Sequence, residues 1–164
     1  MAEIILAGGC FWGVEEYFRR TKGITSTIVG YVNSDIPNPT YEDLCYGKSK
    51  AAEGVVIEFD DDVISRQEIV DLFYKIIDPY SYFRQGNDVG RQYRTGLYYR
   101  PGEEALKAFY EEDRQRRQKD SARKIWVEVE ALQNFTEAEE YHQKYLVKNP
   151  GGYCHIPLPK KSEN

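Results

Sequence analysis

The sequence predicts an α+β fold, a two-layer sandwich with helices packed on a mixed sheet. Three observations carry that prediction. Short apolar runs closed by turn residues recur through the first hundred residues. Two stretches between them repeat their apolar residues at helical spacing. Their order, β-α-β-β-α-β, is the split βαβ arrangement of ferredoxin-like cores. At 164 residues, 41% hydrophobic and 30% charged, the chain has the size and balance of one domain with its own core. A single domain over residues 1–164 is expected, ending in a long coiled tail, mobile from about residue 150.

The first strand is read at about Glu3 to Ala7, from the run Ile4-Ile5-Leu6-Ala7. Phe11, Val14, Tyr17 and Phe18 then recur on one face of a helix that reaches Arg20 and closes at Gly23. Ile24 to Val32, rich in Thr, Ile, Val and Tyr, is a strand. A turn-prone stretch with Pro37 and Pro39 leads into a polar segment, Tyr41 to Ala52, read as a functional loop. Gly54 to Asp60 is a nearly continuous apolar strand, hence central. Ser65 and Glu68 form a capping box for a helix that buries Ile69, Leu72, Phe73, Ile76 and Ile77 and stops before Pro79. Tyr80 to Arg94 is a second polar loop, and Gly96 to Arg100 a short strand. Pro101 fits the first turn of a heavily charged helix to about Lys119. Ile125 to Ala131 alternates as a strand, and Thr136 with Glu139 has the form of a second capping box, opening a helix to about Val147.

Composition removes several function classes. A net charge of −5 argues against a nucleic-acid surface and leaves no basic stripe for anionic lipid. No apolar run approaches the ~18–20 residues of a membrane span, and Met1-Ala2-Glu3 has no basic signal-peptide start. A cytoplasmic monomer is expected, with no nucleic-acid or membrane partner. Three cysteines, Cys10, Cys45 and Cys154, are an odd number without any C-x-x-C, so a disulfide scaffold and the common zinc spacings are disfavoured. Met1 is the only methionine.

The chemistry centres on Gly8-Gly9-Cys10-Phe11-Trp12-Gly13. A strand that ends in glycines and passes into a helix leaves free N–H groups at the turn, where a Cys10 thiolate would be stabilised. The same residues also fit a structural cysteine in an aromatic core. Two polar loops bring Tyr41 and Glu53, and Asp88 and Tyr93, to the ends of strands that could meet beside this turn. An acyl-transfer nucleophile would need a His base, for which only His142 and His155 exist. His142, at helical spacing among Glu139, Tyr145 and Leu146, reads as structural or surface. Cys154-His155 with Cys10 and Cys45 lacks zinc-ligand spacing. The glycines are neither a phosphate loop nor a dinucleotide fingerprint.

Gly8-Gly9-Cys10-Phe11-Trp12-Gly13-Val14-Glu15 resembles the signature of the peptide methionine sulfoxide reductase A family. So do Val29-Gly30-Tyr31, Asn38-Pro39-Thr40-Tyr41, Arg84 to Gly90 with Gln92-Tyr93-Arg94, Tyr141-His142-Gln143 and Lys148-Asn149-Pro150, in the family's order. The resemblance implies an oxidoreductase that reduces the S epimer of methionine sulfoxide, free or in oxidised proteins. Cys10 would be the nucleophile, left as a sulfenic acid when methionine departs. Phe11 and Trp12 would hold the substrate methyl group. Glu53, kept neutral by desolvation, would give a proton to the sulfoxide oxygen, with Tyr41 and Tyr93 hydrogen-bonded to it. Cys154 would resolve the sulfenic acid, with Cys45 as runner-up, and Asp88 would assist recycling. Thioredoxin, or a dithiol such as dithiothreitol, would be the reductant, with no bound cofactor and no metal. Two departures stand out. Lys50-Ala51-Ala52-Glu53 replaces the family's usual Gly-His-Ala-Glu, and Tyr80 stands where Thr is usual. The competing readings are a cysteine hydrolase or acyltransferase, insensitive to reductant, and a metal- or peptide-binding module.

Overall fold

The chain's architecture comes from a computed structural model, which describes residues 2–158. Strand β1 (Ala2–Gly8), helix α1 (Phe11–Arg19), β2 (Ile24–Val32), α2 (Tyr41–Cys45), β3 (Ala52–Phe59) and α3 (Arg66–Ile76) form the first half. A small hairpin, β4 (Arg84–Gln85) and β5 (Asp88–Val89), precedes β6 (Thr95–Tyr99), α4 (Glu104–Lys119), β7 (Glu128–Ala131), β8 (Phe135–Glu137) and α5 (Tyr145–Lys148). The main sheet runs β7-β6-β1-β3-β2-β8. Its four central strands pair antiparallel, which is the split βαβ core; β7 joins β6 in parallel and β8 joins β2 antiparallel.

The strand period of two divides the sheet into two faces. On β1, Ile4 and Leu6 enter the larger core with Phe11, Val14 and Phe18 of α1 and Ile69 and Phe73 of α3. Ile5 and Ala7 point the other way, into a smaller cluster with Val32, Ala52, Tyr98 and Leu132. Both helices therefore lie on one face, and both sides of β1 and β3 are covered, as their continuous apolar runs require. The Ser65–Glu68 capping box forms as expected, each side chain bonding the other's backbone N–H.

Several expectations need correction. The segment after Thr40 is no loop throughout: Thr40 and Asp43 form a capping box that opens α2. Pro101 lies outside α4, because a Pro101-Gly102 turn intervenes, with Gly102 at φ +94° and the Glu103 carboxylate accepting from Arg100 N at 2.7 Å. Residues 125–127 do not pair in the sheet; Trp126 N donates to Pro79 O at 2.7 Å and Arg114 Nη1 to Val127 O at 2.9 Å.

The helix expected from Thr136 to about Val147 is present only as its last turn, α5. Thr136 pairs with Tyr31 in β8, and Glu139 accepts from Tyr31 Oη at 2.6 Å and Tyr41 N at 3.1 Å instead of capping. Gln143 then acts as a short substitute strand. Its amide accepts from Val29 N at 3.0 Å and donates to Val29 O at 2.9 Å and Ala138 O at 3.0 Å. Gln143→Leu keeps the volume and strips all three bonds from a buried site. It should lower stability by about 3 kcal/mol, read as a shifted urea midpoint at unchanged slope.

Candidate functional site

The end of β1 and the start of α1 meet at Cys10. Gly8 is the last paired residue of β1, Gly9 turns the chain at φ +92°, and Cys10 is the N-cap of α1. Only 8% of Cys10 is exposed. Burial, above all, and then the nearby Glu53 push its thiol far above the usual range, and a bond from the Trp12 N–H only partly opposes this. The expected thiolate at a helix N-terminus is thus corrected to a protonated resting thiol. Burial is the main reason, and the Glu53 carboxyl, which accepts from the Phe11 N–H at 3.3 Å at the same helix start, adds to it.

Glu53 sits on β3 opposite Tyr31 and is only 1% exposed. Its other oxygen accepts from Gln92 Nε2 at 3.1 Å. Desolvation raises its pKa to about 8, with the Asp88 carboxylate adding to the shift and the Gln92 and Phe11 N–H bonds resisting it. Near neutral pH the group is therefore mostly the neutral acid, as its expected role demands. Tyr41 at the start of α2 and Tyr93 in a 3-10 turn (Arg91–Tyr93) are both half-buried. Burial and the field of Glu53 push both phenols well up, so both keep their protons as hydrogen-bond donors. Cys45 is exposed at the end of α2, with Gln92 Nε2 at 3.8 Å from its sulfur.

The aromatic wall is fixed by residues far along the chain. Phe11 is fully buried, against Tyr31 and His142, with ring centroids 5.9 and 5.2 Å away. Trp12 is partly exposed and stacks on Tyr145 at 3.7 Å and 9°. Its indole N–H donates to His142 Nδ1 at 2.9 Å. An indole N–H only donates, so the His142 ring is neutral with its proton on Nε2, and burial lowers its pKa accordingly. His142, the last residue of a 3-10 turn (Glu140–His142), is fully buried in this wall, which agrees with the structural reading and not with the surface one.

Residues 153–156 close the other side. The Cys154 sulfur lies over Gly13, where an added Cβ would come within 2.8 Å of it. His155 Nε2 donates to Gly8 O at 2.9 Å, and Ile156 is buried in the larger core. Tyr153 Oη donates to Asp88 Oδ2 at 3.1 Å, which joins the hairpin to the same segment. All three cysteines are free thiols. Residues 159–164 of the expected mobile tail lie outside the described residues.

The structure thus gathers Cys10, Phe11, Trp12, Tyr41, Glu53 and Tyr93 at one end of the sheet and sets Asp88 and Cys154 beside them. Sequence reasoning gave no role to Gln92, Tyr145 or His155, although Gln92 lay in a quoted motif. The loop without its usual His is held by other groups. Lys50 N donates to Asp35 Oδ1 at 2.7 Å, Arg94 Nη1 to Lys50 O at 2.8 Å, and the Ser34 and Ser49 hydroxyls meet at 2.8 Å. Tyr80 carries the Arg123 guanidinium 4.7 Å above its ring. Neither histidine is engaged as a base for Cys10. His142 Nδ1 is taken by Trp12 and His155 Nε2 by Gly8. Among the described residues no cluster of His, Cys, Asp and Glu is arranged to hold a metal, and no helix is long and apolar enough to cross a membrane.

Known proteins resemble this chain along nearly its whole length. The family model of peptide methionine sulfoxide reductase matches residues 2–164. The MsrA of Malacoplasma penetrans is 52% identical over 159 residues, covering 97% of this chain and 98% of its own. The reduced form of Mxr1 from Saccharomyces cerevisiae superposes with a TM-score of 0.86 at 36% identity, over 97% of this chain and 92% of that one. Mxr1 solved in complex with Trx2 gives 0.63 at 25% identity, over 97% and 90%. With residues 2–164 matched by the family model, a relative 52% identical over 97% of the chain and a solved structure superposing over the same share, this chain belongs to the peptide methionine sulfoxide reductase family.

Proposed function

We propose that this oxidoreductase reduces the S epimer of methionine sulfoxide, free or within oxidised proteins, through Cys10, Glu53, Tyr41 and Tyr93. The carrying observation is the Glu53 carboxyl, 1% exposed and held near pKa 8 beside the Cys10 thiol. A sulfoxide oxygen placed against Glu53, Tyr41 and Tyr93 receives a proton and two hydrogen bonds as its S–O bond weakens. The Cys10 sulfur attacks the sulfoxide sulfur, and the thiol proton passes to Glu53 as Glu53's own proton goes to oxygen. The hydroxyl then passes from the substrate sulfur to the Cys10 sulfur as the transient S–S bond breaks, so methionine leaves and Cys10 is left as S–OH, with atoms and charge in balance. Trp12, fixed by Tyr145 and His142, supports a methyl pocket with the buried Phe11 behind it.

Resolution follows. The Cys154 thiol displaces the oxygen as water, giving a Cys10–Cys154 disulfide that an external dithiol reduces. The position of Cys154 over Gly13, one helical turn from Cys10, supports it over the exposed Cys45. The solved Mxr1–Trx2 complex supports a thioredoxin as the dithiol, with Asp88 assisting through its bond to Tyr153. Three free thiols fit a reducing compartment such as the cytoplasm, and a monomer with no bound cofactor suffices for every step.

A thioredoxin-coupled assay on the separated epimers tests the substrate: turnover of the S form alone is expected, and turnover of only the R form refutes it. Cys154→Ser should release about one equivalent of methionine and then stall with thioredoxin. Mass mapping after one turnover should find Cys10 linked to Cys154 in the unsubstituted protein; normal cycling of the variant hands resolution to Cys45.

A further inference from the structure

We propose that His155 is a positioning residue for the resolving step: its imidazole ties the C-terminal segment to the end of β1 and thereby seats Cys154 beside Cys10. The proposal rests on the reading of Cys154 as the resolving thiol.

The bond from His155 Nε2 to Gly8 O, 2.9 Å long, joins the residue after one thiol to the residue two before the other. A carbonyl only accepts, so Nε2 carries the proton and Nδ1 is left with a bare lone pair. That Nδ1 is buried and has no partner among the described residues. A buried imidazole with one nitrogen idle is a poor space-filler, since an apolar side chain would occupy the volume without the orphaned acceptor. What the imidazole adds is the single bond made through Nε2.

The surface beneath is shaped to receive it. A Cβ on Gly9 would come 2.9 Å from His155 Nε2, and one on Gly13 would come 2.8 Å from Cys154 Sγ and 3.0 Å from Ile156 Cγ1. Three consecutive residues are therefore seated together: Cys154 on Gly13, His155 on the Gly8-Gly9 turn, and Ile156 in the core. Among the described residues Cys154 Sγ bonds only the Ile156 carbonyl, at 3.1 Å, a local contact that leaves the thiol free to swing towards Cys10.

In the step itself, Cys10–SOH and Cys154–SH give Cys10–S–S–Cys154 and water. The Cys154 sulfur is oxidised, the Cys10 sulfur gives up its oxygen, and the thiol proton leaves with the departing hydroxyl. A disulfide forms only when the two Cα atoms come within about 7 Å, so the rate depends on how much of the time the tail is seated. The strap raises that fraction without touching the sulfoxide.

The test compares His155→Ala, His155→Gln and His155→Asn by rapid quench. Methionine release in the first turnover is read alongside the appearance of the Cys10–Cys154 linkage by alkylation and mass spectrometry. The Gln side chain places an N–H at the reach of Nε2, whereas Asn reaches only as far as Nδ1. First-turnover methionine release should be unchanged in all three, which also shows that each folds. Linkage should form about tenfold more slowly in the Ala and Asn variants, the size of one lost hydrogen bond, with Cys10 trapped as sulfenic acid by dimedone. Gln should restore most of the rate. An unchanged linkage rate in His155→Ala overturns the proposal, as does a Gln variant no faster than Asn, or an equal slowing of both steps. A linkage from Cys10 to Cys45 in the unsubstituted protein is a different failure, which removes the reading of Cys154 itself.

Discussion

Cys10→Ser is expected to abolish methionine formation with every reductant. The loss follows from where the oxygen goes. Sulfur can accept an oxygen atom and become a sulfenic acid, whereas a serine hydroxyl taking the same atom would have to become a hydroperoxide, a strong oxidant that methionine would at once consume. Oriented groups around the site therefore cannot rescue the variant. The exchange of S for O at a position 8% exposed changes little volume, so the protein should stay folded, with stability altered by about 1 kcal/mol. Measurable first-turnover methionine from folded Cys10→Ser protein would show that another group attacks the sulfoxide.

Glu53→Gln should slow the sulfoxide-reducing step about 10²- to 10⁴-fold while leaving thioredoxin reduction of a preformed disulfide intact. The Gln amide can still donate a hydrogen bond to the sulfoxide oxygen, but it has no proton to give. The pH profile separates the two functions. With its pKa near 8, Glu53 is the acid below that value and a carboxylate above it, so the unsubstituted enzyme should lose rate as pH rises through about 8. The residual rate of Glu53→Gln should lack that fall.

Stability should move in the opposite direction. The Glu53 carboxyl has a pKa near 4.5 when unfolded and about 8 when folded. Between those values the folded chain holds a proton that the unfolded chain has released, so stability declines as pH rises across that window and is flat below it. Gln removes this slope, and at pH 7 the variant should be more stable by about 2 kcal/mol, after loss of one acceptor is set against the relief. A variant that loses activity and gains stability would mark Glu53 as a residue kept against the interest of the fold.

Much of the fold was legible because strands β2 and β3 and helices α1 and α3 have strong periods and bury them, and the Ser65 capping box does locally what its residues suggest. Legibility fails where a local motif is outbid by a distant partner. Thr136 and Glu139 look like a helix start, yet Tyr31 and Tyr41 claim the Glu139 carboxylate and β2 claims Thr136. Short elements such as α2 and the β4–β5 hairpin carry too few residues to show a period.

At the site, Cys10 stands out beside its glycines, the two polar loops point to Tyr41, Glu53, Asp88 and Tyr93, and the roles of these residues and of Phe11, Trp12 and Cys154 came from the family resemblance. The protonation of Cys10 could not be read, because it depends first on burial by elements distant in sequence and then on the nearby Glu53. Gln92 and His155 were missed because an amide and an imidazole in turn-rich segments have many ordinary uses. Their use here is set by atoms 39 and 147 positions away.

The pairing of Trp12 with His142 and of Gly8 with His155 spans nearly the whole chain. A ribosome makes Cys10 early and its supports last. On the nascent polypeptide Cys10 therefore waits without its fixed indole neighbour and without Cys154, and the site is complete only once residues 142–155 have been made. The same closure makes turnover sensitive to loss of this segment: a chain cut just before Cys154 is expected to lose recycling first, whatever part of the sheet still forms.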